Sequence, residues 1–315
     1  MIQGLYTALI TPFTENGALD EGGLRLLLQR QIDAQVDGIT LLGSTGESST
    51  ISGDEKKQII RISIEEVQGR VPVMVGCGTN ATTTTIEQAT WAEQQGASSL
   101  LVILPYYNRP TQEGIYRHFE ALSQAVSIPI CIYNMPARTG VHLEVKTLKA
   151  IAELPNIAAV KEASGSITHI SDVIEAMRAK NVTVLSGDDA LTLPVMAIGG
   201  HGIISVLSNL IPQTIRKLVM SIQEGNYSEA VELHYTLMPL IRAAFIETNP
   251  APIKRMLECV GLPAGKCRLP LAELTEEHDR RLQEVLQEVL QEKVWEVLFN
   301  RESGRRDYEL AVRDG

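Results

Sequence analysis

Lys161 follows the apolar run Ile157-Ala-Ala-Val160 and precedes Glu162-Ala-Ser-Gly165. Four small or apolar residues in succession read as a strand buried on both faces, and Ser-Gly ends it. A lysine in that place has two readings. It can snorkel to solvent at the strand end. Alternatively, it is held out of water, where burial disfavours the ammonium form and frees an amine that attacks carbonyls and forms a Schiff base. Other groups suited to such chemistry end further apolar runs: Gly43-Ser-Thr-Gly-Glu47, Tyr106-Tyr-Asn108, Tyr133-Asn134 with Arg138 close behind, Gly187-Asp-Asp189, and Ser205 to Asn209. No histidine stands among them, so proton transfer falls to tyrosine hydroxyls assisted by Ser44.

Each group also has a plainer reading. Gly43-Ser-Thr-Gly46 is either an ordinary turn or a nest of N–H groups open to a carboxylate. Tyr106 and Tyr107 are adjacent, so in an extended chain one packs and the other is the candidate. Tyr133 suits a core position, and Arg138 an exposed helix flank. Asp188 and Asp189 suit a helix cap, and their charge argues against a phosphorylated substrate. The constellation is more specific than its parts. A lysine and a tyrosine on successive strands match what carbonyl–amine chemistry requires.

The elements that must position these groups alternate strictly. Strand-like runs fall at 4–13, 38–43, 71–78, 98–105, 128–136, 157–163, 182–187 and 202–209. Amphipathic helical stretches follow each: 20–32, 54–67, 82–95, 111–126, 143–153, 167–179, 190–198 and 212–224. Eight such units predict a (β/α)8 TIM barrel, an α/β fold whose chemistry sits at the carboxyl-terminal strand ends. An open doubly wound sheet lacks support, because no GxGxxG follows the first strand. The expected organisation is a barrel over 1–224, a helical appendage over 225–292, and a charge-mixed tail over 293–315, frayed or appended. Within the appendage, Leu282-Gln-Glu-Val-Leu-Gln-Glu-Val-Leu-Gln-Glu292 repeats every four residues, which suits core or subunit packing.

Composition narrows the class. The chain has 315 residues, 44% of them hydrophobic, and a net charge of −10 with no long basic block. That argues against nucleic-acid binding and a polybasic membrane anchor. An anionic substrate then needs local arginine or backbone donors. No signal peptide or bilayer-length apolar run is visible, and the four cysteines are scattered, which reads as a reduced cytoplasmic chain. No clustered His/Cys/Asp set suggests a metal, and no cofactor is expected.

At these residues the chain resembles the Schiff-base aldolases and lyases that include the dihydrodipicolinate synthases and the N-acetylneuraminate lyases. Gly43-Ser-Thr-Gly-Glu47, Tyr133-Asn-Met-Pro136 and Val160-Lys-Glu-Ala-Ser-Gly165 look like motifs of the whole superfamily. Tyr106-Tyr-Asn-Arg-Pro110, Ala137-Arg-Thr-Gly140, Leu185-Ser-Gly-Asp-Asp189 and Glu247-Thr-Asn-Pro250 look like its synthase branch. The resemblance implies condensation of pyruvate with aspartate 4-semialdehyde on the diaminopimelate route to lysine. It implies that Lys161 forms the Schiff base and Tyr133 donates and accepts protons. Ser44 and Tyr107 would complete a relay, Tyr107 reaching in from the neighbouring subunit. Thr45 would hold the pyruvate carboxylate, Gly187 and Ile204 would lie beside the bound pyruvate, and Arg138 would receive the aldehyde's carboxylate. It further implies a homotetramer built from tight dimers. Ser44 stands where synthases usually carry threonine, a feature shared with sugar-acid aldolases; an aldolase releasing pyruvate from a 2-keto-3-deoxy sugar acid or N-acetylneuraminate is therefore the alternative. Where lysine-inhibited members carry histidines and a glutamate, this chain has Gly53, Lys56 and Thr84, so millimolar lysine should leave turnover largely intact.

Overall fold

The computed structural model describes residues 1–291. Eight parallel strands pair in chain order, and the last closes on the first. They are β1 (Gly4–Ala8), β2 (Gly38–Leu41), β3 (Val73–Gly76), β4 (Ser99–Ile103), β5 (Ile130–Asn134), β6 (Ile157–Glu162), β7 (Thr183–Ser186) and β8 (Gly202–Ser205). Helices between them form the outer ring, so the expected (β/α)8 barrel is the fold.

Most strands are shorter than their apolar runs. Leu9 N still donates to the Thr40 carbonyl of β2, but beyond it the buried Ile10 N donates to Asn209 Oδ1 and Phe13 N to the Ala264 carbonyl rather than to a strand ladder. An apolar run reports burial, and only hydrogen bonding separates a strand from a buried loop. Helix starts follow local chemistry. Asp20, Thr111, Ser166 and Asn226 accept from backbone amides three residues on, and Ser52 with Glu55 forms a reciprocal capping box. Each such cap stabilises its helix by about 1 kcal/mol.

The apolar residues pack in two shells. Ile130, Ile132 and Val160 face outward into the layer shared with the helices. Tyr6, Ala8, Leu101, Cys131, Tyr133, Ala159, Ala163, Leu185 and Ile204 fill the barrel interior. On β6 the inward positions flanking Lys161 are alanines, which leaves the lysine room inside the barrel.

After the barrel, helices span Tyr227–Ala244, Ala251–Cys259 and Glu276–Gln291. Leu282, Val285, Leu286 and Val289 are buried, so the four-residue repeat serves packing against the two preceding helices. Arg255 Nε bonds Asp279 Oδ1 at 2.6 Å and pins the last helix. The tail expected at 293–315 lies outside the described residues.

Arg268 ties the segment before that helix to the barrel. Its guanidinium donates to Glu55 at 2.5 and 3.0 Å and lies 4.2 Å over the Phe13 ring. The Arg268 bonds hold the Glu55 pKa at about 2, against an ordinary 4.5. A depressed carboxylate pKa stabilises the fold above its unfolded value and ceases to do so as pH falls through the folded one. Glu55→Gln should therefore be less stable than the parent at pH 7, and the gap should close between about pH 4.5 and pH 2. Urea midpoints across that range check this; a gap independent of pH would show that the charge contributes nothing.

Candidate active site

Lys161 and Tyr133 are register partners on β6 and β5, and both point inward. Lys161 is 5% exposed and Tyr133 6%, and the amine lies 4.4 Å from the centre of the phenol ring. The snorkelling reading therefore fails. A Cβ at Gly187 would stand 2.9 Å from Lys161 Cε and 2.7 Å from the Ala163 Cβ, so the lysine lies across bare backbone at the end of β7. Beneath the pair, burial pushes the Cys131 thiol up to about 12, with Lys161 only partly offsetting it. The thiol stays protonated, and the Lys161 amine is the group of the pair that faces the opening.

The opening is a cavity of about 40 Å³ at the carboxyl-terminal mouth of the barrel. Gly43, Ser44, Thr45, Tyr133, Arg138, Lys161 and Gly187 all line it. Larger hollows, of about 260, 280 and 300 Å³, lie elsewhere and hold neither Lys161 nor Tyr133. Their size does not outweigh the missing pair of amine and phenol.

The loop after β2 supplies two hydroxyls. The Gly46 and Glu47 amides turn back to the Gly43 and Ser44 carbonyls, at 3.1 and 3.2 Å. That closes part of the expected nest; the Ser44 and Thr45 amides find no acceptor among the described residues. Asn249 Nδ2 donates to Thr45 Oγ1 at 2.9 Å, which leaves the threonine proton free to donate into the cavity. Glu47, two residues on, is fully buried in an ion pair with Lys254 Nζ at 2.6 Å, and Arg268 N donates to its other oxygen at 2.9 Å. Breaking such a pair by removing one partner costs about 3–5 kcal/mol. The loop is thus held from the appendage as well as from the barrel.

Arg138 stands exposed at the rim and donates from Nη2 to the Asn249 carbonyl at 3.2 Å. Ile204 is fully buried on β8, in the interior shell with Tyr133. Tyr107 is 88% exposed and does not line this cavity; Tyr106 beside it is half-buried. Asp188 caps a short turn by accepting from Ala190 N, and buried Asp189 accepts from Ser205 Oγ and Val206 N. Asn249, Phe245, Met135 and Val206 also line the cavity, and the sequence alone gave them no role. Asn249 lies in the Glu247-Thr-Asn-Pro250 motif, but its part in the pocket does not show locally, because its partner Thr45 lies 204 positions away.

Fold and pocket together define a barrel lyase with an inward amine at its mouth. The model of the dihydrodipicolinate synthetase family matches residues 1–289, and the chain belongs to that family. It is 54% identical over 287 residues to the 4-hydroxy-tetrahydrodipicolinate synthase of Protochlamydia amoebophila, covering 90% of this chain and 96% of that protein. The solved 4-hydroxy-tetrahydrodipicolinate synthase of Methylacidiphilum fumariolicum SolV superposes with a TM-score of 0.91 at 43% identity, covering 95% of this chain and 100% of that one. Another solved structure, described as a monomeric dihydrodipicolinate synthase variant, matches at 39% identity with a TM-score of 0.88, over 91% and 96% of the two chains.

Proposed function

We propose that this chain condenses pyruvate with L-aspartate 4-semialdehyde through a Schiff base on Lys161, giving 4-hydroxy-tetrahydrodipicolinate. The observation that carries the mechanism is the buried Lys161 amine beside Tyr133 in the barrel mouth. The names of the relatives favour this reaction over the cleavage of a sugar acid. The amine adds to the keto carbon of pyruvate, and water leaves to form an imine. The imine draws electrons from the methyl carbon, which loses a proton and becomes nucleophilic. That carbon attacks the aldehyde, whose oxygen takes up a proton. The semialdehyde's own amine then displaces lysine and closes the ring. Tyr133 carries protons through these steps, assisted by Ser44.

The carboxylate of pyruvate is held by Thr45, with Gly187 and Ile204 alongside. Arg138 receives the carboxylate of the aldehyde. An exposed Tyr107 suits delivery into a neighbouring copy's site, in a tetramer of paired dimers. No helix among the described residues is long and apolar enough to cross a membrane, and a cytoplasmic setting fits the pathway. The deciding assay offers pyruvate plus aspartate 4-semialdehyde in one arm and 2-keto-3-deoxy sugar acids or N-acetylneuraminate in the other. Condensation should far exceed pyruvate release; the reverse order would reassign the substrate.

A further inference from the structure

Behind the Lys161–Tyr133 pair stands a second pair. In the register of β5 and β6, Tyr133 faces Lys161 and Asn134 faces Glu162. Side chains alternate along a strand, so Tyr133 and Lys161 enter the barrel while Asn134 and Glu162 point into the layer beneath the helices. That layer is apolar one step earlier, at Ile132 and Val160. Asn134 and Glu162 are 0% and 1% exposed. Burying a carboxylate is costly unless it is fully hydrogen-bonded.

Glu162 is so bonded. Its Oε2 accepts from Asn134 Nδ2 at 2.8 Å, and its Oε1 accepts from Ser164 N at 2.8 Å. His169 Nε2 lies 3.6 Å from Oε2, and the His142 ring packs 4.2 Å from the His169 ring. Burial alone would raise the Glu162 pKa, but the nearby His169 ring and the bonds from Asn134 and Ser164 outweigh it and hold it below the usual value. Asn134 is fixed in turn, its Oδ1 accepting from Leu143 N at 3.2 Å. The backbone ladder here is already closed, with Ala163 N on the Asn134 carbonyl and Gly187 N on the Glu162 carbonyl. The side-chain bond is therefore an additional link between two strands already paired, placed directly behind the two residues that must meet the same ligand.

We infer that Asn134 and Glu162 are positioning residues, a brace that fixes the separation of the Tyr133 phenol and the Lys161 amine by joining the residues that immediately follow them. The inference rests on the reading of Lys161 as the Schiff-base lysine. Small displacements in such a pair slow the chemistry without loosening binding. Asn134→Ala removes the bond, and Glu162→Gln removes the charge and sets an amide N–H against a donor at Ser164 N or Asn134 Nδ2. In Asn134→Asp two carboxylates oppose each other, and lowering the pH lets one proton rejoin them. The groups facing this pair are His169 on the following helix and His142 beyond it.

The test is the single-turnover rate at which borohydride traps pyruvate on each folded variant, with kcat and KM measured in parallel. Trapping and kcat should fall roughly 10- to 100-fold with the aldehyde KM little changed, and Asn134→Asp should recover relative to the parent as pH is lowered. Folded variants that melt lower yet trap and turn over at the parental rate would overturn the brace. If Asn134→Ala does not fold, the pH response of Asn134→Asp decides: no recovery overturns the proposal. A parent protein that traps no pyruvate would instead sink the Lys161 reading, so the two failures are told apart.

Discussion

Lys161→Ala should yield a folded protein that borohydride and pyruvate leave unmodified, with turnover down by on the order of 10⁴-fold or more. The parent should gain one reduced pyruvate adduct at Lys161. The size of the effect stems from the surroundings. Lys161 lies across the bare backbone of Gly187, the nearby Cys131 thiol is held protonated, and Tyr133 has no nucleophilic nitrogen to offer. The rest of the chain should tolerate the change, because alanine already occupies the neighbouring inward positions of β6. Intact-mass measurement after reduction reads the result directly. An adduct that persists in the alanine variant would place the imine on another lysine and remove the basis of the mechanism.

Arg138→Ala should separate the two substrates. Trapping of pyruvate should proceed at the parental rate, because Arg138 stands at the rim and does not touch the buried amine's packing. Its kcat/KM for the semialdehyde should fall about 10- to 100-fold, the range expected when a charge-assisted hydrogen bond of roughly 1.5–3 kcal/mol is lost. One guanidinium nitrogen is engaged by the Asn249 carbonyl at 3.2 Å, which aims the side chain and leaves other donors for a carboxylate. Replacement by lysine should restore charge without the planar fork and recover only part of the rate. Unchanged use of the aldehyde in the alanine variant would detach Arg138 from substrate recognition.

Lys161 and Tyr133 are legible in the sequence because the signal is local: a short apolar run sets the strand, and the position of the polar residue within it sets depth and direction. Gly187 is legible as a strand end, but the reason for glycine there is a lysine carbon 2.9 Å from its missing side chain, which only folding reveals. Helix starts match the capping residues, whereas apolar runs overextend the strands because Ile10 and Phe13 are buried with their amides on a side chain and a loop carbonyl rather than on a neighbouring strand. Asn249 is marked only by its motif, and the roles of Phe245 in the cavity and of the buried Lys254 beneath the hydroxyl loop are illegible. Their contacts depend on how the appendage folds back, and no spacing rule spans that distance. Tyr107 is a different case: its 88% exposure in the single chain tells where it is, while its partner would belong to another copy.

The hydrogen bond from Asn249 to Thr45 spans 204 positions, and that from Lys254 to Glu47 spans 207. During synthesis on a ribosome, all eight strands emerge well before either donor does. The nascent barrel can close while its hydroxyl-bearing loop still lacks both anchors, so the mouth matures last. The hydroxyl-bearing loop thus takes its two last anchors from residues translated after all eight strands.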